Sequence, residues 1–369
     1  MKQINLVQLG IGTVGGAVVE QVVANNQQWQ RDLGLDLRLV AIAGKDGAFA
    51  TSNKGGHSRA SLLEAIAARR SGASLRDAMR AQSATPVAET IAALAAVAPT
   101  IVLDAAAGSE TADALVAALN AAGGAVLSNK APLALPMNDP RAAALWGAAR
   151  LGGRLRYETT CGAGLPVIST LQTLLATGDA VIEIQGALSG TLGAIFSMLA
   201  TGTPFSEAVR KAKDLGYTEP DPRDDLSGLD VARKALILAR TMGRTVDLTD
   251  IAVESLVPAH LEQVSVAEFL DRVGDADQAI AARAASAKAK GASLKYVATV
   301  PASGAISVGM REVPGTGVLG ALQGPENIVS FRTDRYDGYP LTVAGPGAGA
   351  AVTAAGMVGD ALALAMSMD

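Results

Sequence analysis

The sequence predicts an α/β protein in which a doubly wound parallel sheet is joined to an α+β domain. Three observations carry this reading. Short apolar runs of strand length alternate with helical patterns over roughly the first 150 residues. A glycine-rich turn separates the first run from the first helix. Beyond that region, strands bounded by Gly and Pro mix with helices instead of alternating with them.

Residues 4–9 are a short apolar run suited to a buried parallel strand. A helical pattern follows over 17–24, and residues 37–43 (LRLVAIA) are a second buried strand. Residues 101–104 and 125–128 make two more strands, with an Ala-rich helix over 111–122 between them. Strands alternating with helices imply a parallel, doubly wound sheet. Residues 45–80 are broken by Gly55-Gly56 and Ser71-Gly72 around a short helix at 61–69, and read as a surface insertion. The first domain is expected over 1–150 and the second over 151–344. In the second, strands are expected at 181–188, 295–300, 306–308, 327–332 and 341–344, and helices at 206–215 and 228–242. A last helical pattern, 351–366, is expected to complete the first domain from about 345–369. The sequence has no internal repeat and no low-complexity linker.

The chain has 369 residues, a length suited to about two domains. Its 49% hydrophobic and 18% charged residues exclude a disordered chain. Thirty-one Lys+Arg against 35 Asp+Glu argue against a basic nucleic-acid surface, and the scattered aromatics give no stacking platform. With one cysteine and two histidines there is no intramolecular disulfide and no Cys- or His-rich metal site. His57 and His260 read as non-catalytic. The most apolar stretch, 91–107, is broken by Pro99 and Asp104 and is too short to span a bilayer. A soluble cytoplasmic protein is expected, with neither membrane nor nucleic acid as partner.

Gly10-x-Gly12-x-x-Gly15 stands between a strand and a helix. In that context the first glycine permits a tight turn, the second lets a pyrophosphate approach the backbone, and the third lets the helix pack on the strand. The phosphate would meet the backbone N–H groups of the first turn, at Thr13 and Val14, and the positive end of the helix dipole. The first domain is therefore expected to be of the Rossmann type and to bind NAD or NADP. The second strand ends in Ala43-Gly44-Lys45. Lys45 has the charge to meet a ribose 2′-phosphate, and a solvated surface lysine fits the position equally well.

Residues 215–225 pack two prolines and several charges into one loop, ahead of Leu226-Ser227-Gly228-Leu229-Asp230-Val231-Ala232-Arg233-Lys234. Asp230 and Lys234 are four apart and share a helix face. The apolar residues after Lys234 bury that helix, so the pair reads as a buried one beside Glu219. Such a site suits a polar substrate carrying an amine and a hydroxyl.

These residues resemble the homoserine dehydrogenases. The resemblance rests on residues 10–15, Ser128-Asn129-Lys130-Ala131-Pro132-Leu133, residues 157–166, Gly186-Ala187-Leu188-Ser189-Gly190-Thr191-Leu192, the 216–234 block and residues 347–356, all in family order. Residues 157–258 look most like the dehydrogenase half of the bifunctional aspartokinase–homoserine dehydrogenases, without their kinase domain. The resemblance implies reversible oxidation of L-homoserine to L-aspartate 4-semialdehyde with NADP or NAD, in threonine and methionine biosynthesis. It implies Lys234 as proton donor to the alkoxide and Lys130 as a second lysine near the reacting carbon and the nicotinamide. Glu219 would hold the substrate ammonium, and Asp230 would orient the substrate. Gly10, Gly12, Thr13, Val14, Gly15, Lys45, Ala106, Lys130 and Gly347 would bind the cofactor. A monovalent cation such as Na+ would sit against backbone carbonyls at Glu158, Cys161, Ala163 and Leu165. A cation aimed at the oxygen suits the chemistry, because negative charge builds there during hydride transfer.

The family also implies a homodimer or a dimer of dimers, with the apolar strands at 181–188 and near 295–308 pairing across a two-fold axis. Too few residues follow Gly356 for a C-terminal amino-acid-binding domain, so inhibition by threonine through a separate effector site is not expected. Any weak inhibition would be competitive with homoserine. Two positions depart from the family: Ala105-Ala106-Ala107 replaces a frequent Thr-Ser, so that contacts there are backbone ones or absent, and Gly193 replaces an Asn, which removes any side-chain role at that position. Two rival readings are a semialdehyde dehydrogenase using Cys161 as nucleophile and an NADP-binding sensor without turnover. Neither histidine is close in sequence to Cys161, and a sensor has no need of Lys130, Glu219, Asp230 and Lys234.

Overall fold

The computed structural model describes residues 1–79, 83–150 and 153–368. Arg80, Leu151 and Asp369, which bound segments expected from the sequence, lie outside the described residues. The chain forms two compact units, Met1–Gly164 with Ala348–Asp369, and Leu165–Gly347.

The first unit contains β1 (Lys2–Leu9), α1 (Thr13–Asp32), β2 (Leu35–Gly44), β3 (Gly47–Ala50), α2 (Arg59–Arg70), α3 (Leu75–Ala78), α4 (Val87–Ala95), β4 (Thr100–Asp104), α5 (Ala112–Asn120), β5 (Gly124–Leu127), α6 (Pro140–Ala148) and β6 (Leu155–Arg156). Its sheet runs β3-β2-β1-β4-β5-β6. All its ladders are parallel except β2 with β3. This is the Rossmann-type doubly wound arrangement expected. β4 and β5 are wholly buried, as parallel strands covered on both faces must be. The apolar stretch at 91–107 divides between the end of α4 and β4.

Residues 45–79 are not a surface insertion. β3 forms the antiparallel edge of the sheet, and Phe49, Leu62, Ile66 and Leu75 belong to the core of the unit. Glycine punctuation hid these elements, because β3 is short and α2 is amphipathic over few residues.

The second unit contains α7 (Val167–Ala176), β7 (Val181–Ala187), α8 (Gly190–Ala200), α9 (Phe205–Asp214), α10 (Pro222–Leu226), α11 (Leu229–Thr241), β8 (Ile251–Val253), α12 (Val266–Arg272), α13 (Asp277–Ala289), β9 (Ala292–Pro301), β10 (Ile306–Pro314), β11 (Glu326–Thr333) and β12 (Leu341–Pro346). Its sheet order is β12-β11-β7-β9-β10-β8, antiparallel except between β8 and β10. β7, β9 and β10 lie inside the strand order, although β7 pairs only with residues 298–301 of β9 and β8 only with residues 306–308 of β10.

The last helix, α14 (Ala350–Ser367), returns to the first unit, where it packs on α1, β4 and β5. Among the described residues it is the one helix long and apolar enough to cross a membrane, with a mean hydropathy of 1.5. Its Ala354, Met357, Ala361, Leu364 and Ala365 are core residues of the unit.

Candidate active site

The glycine-rich turn is built as its spacing requires. Gly10 has φ 73°, a left-handed conformation that a side chain resists, and its N–H donates to the Ala43 carbonyl at 2.8 Å. A Cβ on Gly10 would stand 3.0 Å from Ala106 Cα, so β1 and the loop after β4 meet without room for a side chain. A Cβ on Gly15 would lie 2.0 Å from the Gly10 carbonyl oxygen. Around Gly12 the opposite holds: no atom lies within 4 Å of its Cβ position. Gly12 caps α1 with no side-chain hydrogen bond, and the first turn carries no acidic residue. The N–H groups of Thr13 and Val14 thus begin a helix that no side chain caps, an arrangement suited to an anion. This cradle fits a dinucleotide pyrophosphate. Lys45 is exposed in the turn after β2 and makes no ion pair among the described residues.

Beneath the loops after β4 and β5 lies a polar network that sequence reasoning missed. Asp104, fully buried, accepts from Ala106 N at 3.0 Å, Thr111 Oγ1 at 2.6 Å and Asn129 Nδ2 at 3.2 Å. Burial pushes its carboxyl above the usual range. Asn129 Nδ2 also donates to the Gly108 carbonyl, and Asn129 Oδ1 accepts from Ala131 N. The network fixes the backbone at Ala106 and around half-buried Lys130. Its signals were an acid ending a buried strand and the Asn beside Lys130.

In the second unit, α11 is buried on nearly every face and carries Lys234, which is 8% exposed. Lys234 Nζ lies 2.8 Å from Asp230 Oδ2, one turn earlier, and donates to the Leu188 carbonyl at 2.6 Å. Leu188 ends at the entry to α8, where Ser189 caps the helix through its side chain. A substrate oxygen held near this ammonium would meet a cation fixed from two sides.

The loop bearing Glu219 is rigid. Arg223 pairs with Asp221 at 2.7 Å and donates to the carbonyls of Leu261, Glu262 and Val264. Lys213 Nζ donates to the Pro220 carbonyl at 2.6 Å. Asp225, given no role from the sequence, joins the parts. Its Oδ2 accepts from Glu219 N at 2.8 Å, and its Oδ1 lies 2.9 Å from Thr191 Oγ1. The Thr191 hydroxyl also lies 2.5 Å from the Tyr217 carbonyl, which can only accept. A protonated Asp225 satisfies all three groups, since its O–H donates to Thr191 while Thr191 donates to Tyr217. Burial raises the Asp225 pKa, and the neighbouring Glu219 and Asp230 charges add to it. The Glu219 side chain is exposed, available to an ammonium.

Glycine at 193 has a steric reason: a Cβ there would stand 2.8 Å from the Gly324 carbonyl oxygen. Gly347 is similarly constrained, because the buried Asn327 side chain would lie about 2 Å from its Cβ.

The chain as a whole matches known proteins in this light. A family model described as homoserine dehydrogenase matches residues 166–362, and one described as the homoserine dehydrogenase NAD-binding domain matches residues 10–158. The chain belongs to the homoserine dehydrogenase family. It is 45% identical over 224 residues to the homoserine dehydrogenase of Paracoccidioides brasiliensis, covering 58% of this chain and 60% of that one. It is 47% identical over 211 residues to the chloroplastic bifunctional aspartokinase/homoserine dehydrogenase 2 of Arabidopsis thaliana, covering 57% and 23%. The matches thus span less than two thirds of these relatives' own length. Among solved structures, a Candida auris protein of unknown function superposes with a TM-score of 0.85 at 33% identity, covering 100% of this chain and 99% of that one. A hyperthermophilic archaeal homoserine dehydrogenase in complex with NADPH has the same fold, with a TM-score of 0.72 at 24% identity and 98% and 97% coverage.

The site residues expected from the family divide between the two units. Gly10, Gly12, Thr13, Val14, Gly15, Lys45, Ala106 and Lys130 stand in the first, and Glu219, Asp230, Lys234 and Gly347 in the second. Of the residues expected around a cation, Glu158, Cys161 and Ala163 belong to the first unit and Leu165 opens the second. Gly162 and Ala163 are both left-handed, with φ 86° and 54°, and Cys161 is fully buried. Among the described residues no group of three or more His, Cys, Asp or Glu could hold a metal. His57 is buried and bonded to the Phe49 carbonyl, and His260 is bonded to Asp275.

Proposed function

We propose that the chain catalyses the reversible NADP- or NAD-dependent interconversion of L-homoserine and L-aspartate 4-semialdehyde. The observation that carries the proposal is Lys234, a buried ammonium fixed by Asp230 and the Leu188 carbonyl on a helix that follows the Glu219 loop. When bound, the nicotinamide supplies or accepts the hydride at the substrate's C4.

Lys234 holds the substrate oxygen, stabilises its developing charge and gives it the proton in the reducing direction. Asp230 keeps that ammonium in place and orients the substrate. Glu219 takes the substrate ammonium, presented by a loop that Asp225 and Arg223 hold still. Lys130 is the second cation at the reacting carbon. The Gly10–Gly15 cradle takes the pyrophosphate, Ala106 offers backbone contacts in place of Thr-Ser side chains, and Lys45 favours a 2′-phosphate. Gly347 takes part from the second unit. A monovalent cation such as Na+ would be held by carbonyls at Glu158, Cys161, Ala163 and Leu165. We further propose a cytoplasmic homodimer or dimer of dimers in which the strands at 181–188 and near 295–308 pair across the two-fold axis.

One assay tests the activity: L-homoserine-dependent reduction of NADP at alkaline pH. Binding of NADP without reduction would favour the sensor reading. The reading based on a nucleophilic Cys161 is disfavoured by burial of that thiol, and loss of activity on alkylation of the folded enzyme would revive it.

A further inference from the structure

The second unit contains a cavity of about 580 Å³ walled by α8, the end of α9, β9 and the 320–325 segment. Its polar lining includes Lys295, Lys211, Ser293, Tyr217, Gln323 and Ser197, and no Asp or Glu lines it. Lys295 is 5% exposed on β9. Its Nζ donates to the Leu322 carbonyl at 2.5 Å, and among the described residues no carboxylate pairs with it. An ammonium has three protons to give, and a buried charge is ordinarily matched by a counter-charge. Desolvation alone lowers the Lys295 pKa, with no neighbouring acid to offset it. Ser197 is already engaged, accepting from Gly324 N and donating to the Gly193 carbonyl. Ser293 and Gln323 make no side-chain hydrogen bond among the described residues, and exposed Lys211 adds a second positive charge to the lining.

We propose that this cavity is a second small-molecule site that takes a compact oxyanion, a carboxylate or a phosphate, with Lys295 as its charge partner. The volume is within the range of small-ligand pockets. A bound oxyanion would satisfy the remaining Lys295 protons and the Ser293 hydroxyl together. Tyr217 lines this cavity and its carbonyl also anchors Thr191. Occupancy is therefore expected to change the apparent KM for L-homoserine more than kcat. That kinetic consequence rests on the activity proposed above, whereas binding itself does not.

The test is calorimetric titration of inorganic phosphate, and separately of acetate, into the full chain saturated with NADPH so that the dinucleotide cradle is filled. Saturable binding of at least one anion is expected, and which one binds distinguishes the two sources. Lys295→Met is expected to weaken it by roughly tenfold or more, as loss of a charge-assisted hydrogen bond does, while Lys295→Arg retains it. Absence of saturable binding by either anion, or wild-type affinity in Lys295→Met, overturns the proposal. Should Lys295→Met fail to fold, the Ser293→Val, Lys211→Ala double variant takes its place: several-fold weaker binding supports the site, and unchanged affinity overturns it.

Discussion

Gly12 and Gly15 are three residues apart in one turn, yet a methyl group added to each should fail in different ways. At Gly15 the new Cβ would stand 2.0 Å from the Gly10 carbonyl oxygen and 3.0 Å from Gln8 Nε2. Contact distance requires α1 to withdraw from β1 by about 1 Å or more, against a packed core. Gly15→Ala should therefore lose about 1–3 kcal/mol of stability, the ordinary cost of overpacking. At Gly12, φ is −68° and the Cβ position is open, so an alanine is accommodated. Replacing glycine by alanine at an N-cap costs about 1 kcal/mol or less. The methyl instead occupies the approach to the Thr13 and Val14 N–H groups. If overpacking of the same size falls on the bound pyrophosphate, NADPH affinity drops roughly ten- to hundredfold. Urea unfolding and fluorescence titration with NADPH separate the two effects. Wild-type NADPH affinity in Gly12→Ala would refute the placing of the pyrophosphate, and wild-type stability in Gly15→Ala would refute the packing argument.

Lys234→Ala should lower turnover by about 10²–10⁴-fold, the usual contribution of a general acid, while NADPH affinity stays near wild type; steady-state kinetics with a binding titration checks both. Glu219→Ala should mainly raise the KM for L-homoserine, and an unchanged KM would remove Glu219 from the ammonium site. Asp225 has a pKa raised above the ordinary carboxylate value, so its contribution to stability is full below about pH 4 and is lost as pH rises through the raised pKa. Asp225→Asn keeps an acceptor for Glu219 N and a donor for Thr191, and should flatten that decline in urea unfolding measured across pH. An undiminished slope would mean that Asp225 is ionised in the native loop.

The parts of the molecule legible in the sequence are those where local chemistry and tertiary role coincide. Gly10 and Gly15 are required by a turn that residues 4–24 define almost unaided, and Gly12 keeps the approach to that turn open. Asp230 and Lys234 are set together by helical period alone. The parts missed depend on partners distant in sequence. Asp104 matters because Thr111 and Asn129 reach it, and Asp225 because Thr191 does, 34 residues earlier. Nothing local marks β7, β9 and β10 as interior strands, since an apolar run fits an edge facing another subunit equally well. Residues 45–79 look peripheral in the sequence because their core contribution comes from single large side chains, Phe49 and Ile66 among them, spaced between glycines.

The return of α14 gives the chain an order of assembly. Residues Leu165–Gly347 are contiguous and leave the ribosome before Ala350, so the second unit can finish while the first still lacks Met357 and Leu364 from its core. The nucleotide cradle lies near the start of the chain but stands on a scaffold whose final piece is made last. During synthesis the nascent first unit must therefore wait, with an apolar groove uncovered, and its closure pays the entropy of bringing distant chain segments together.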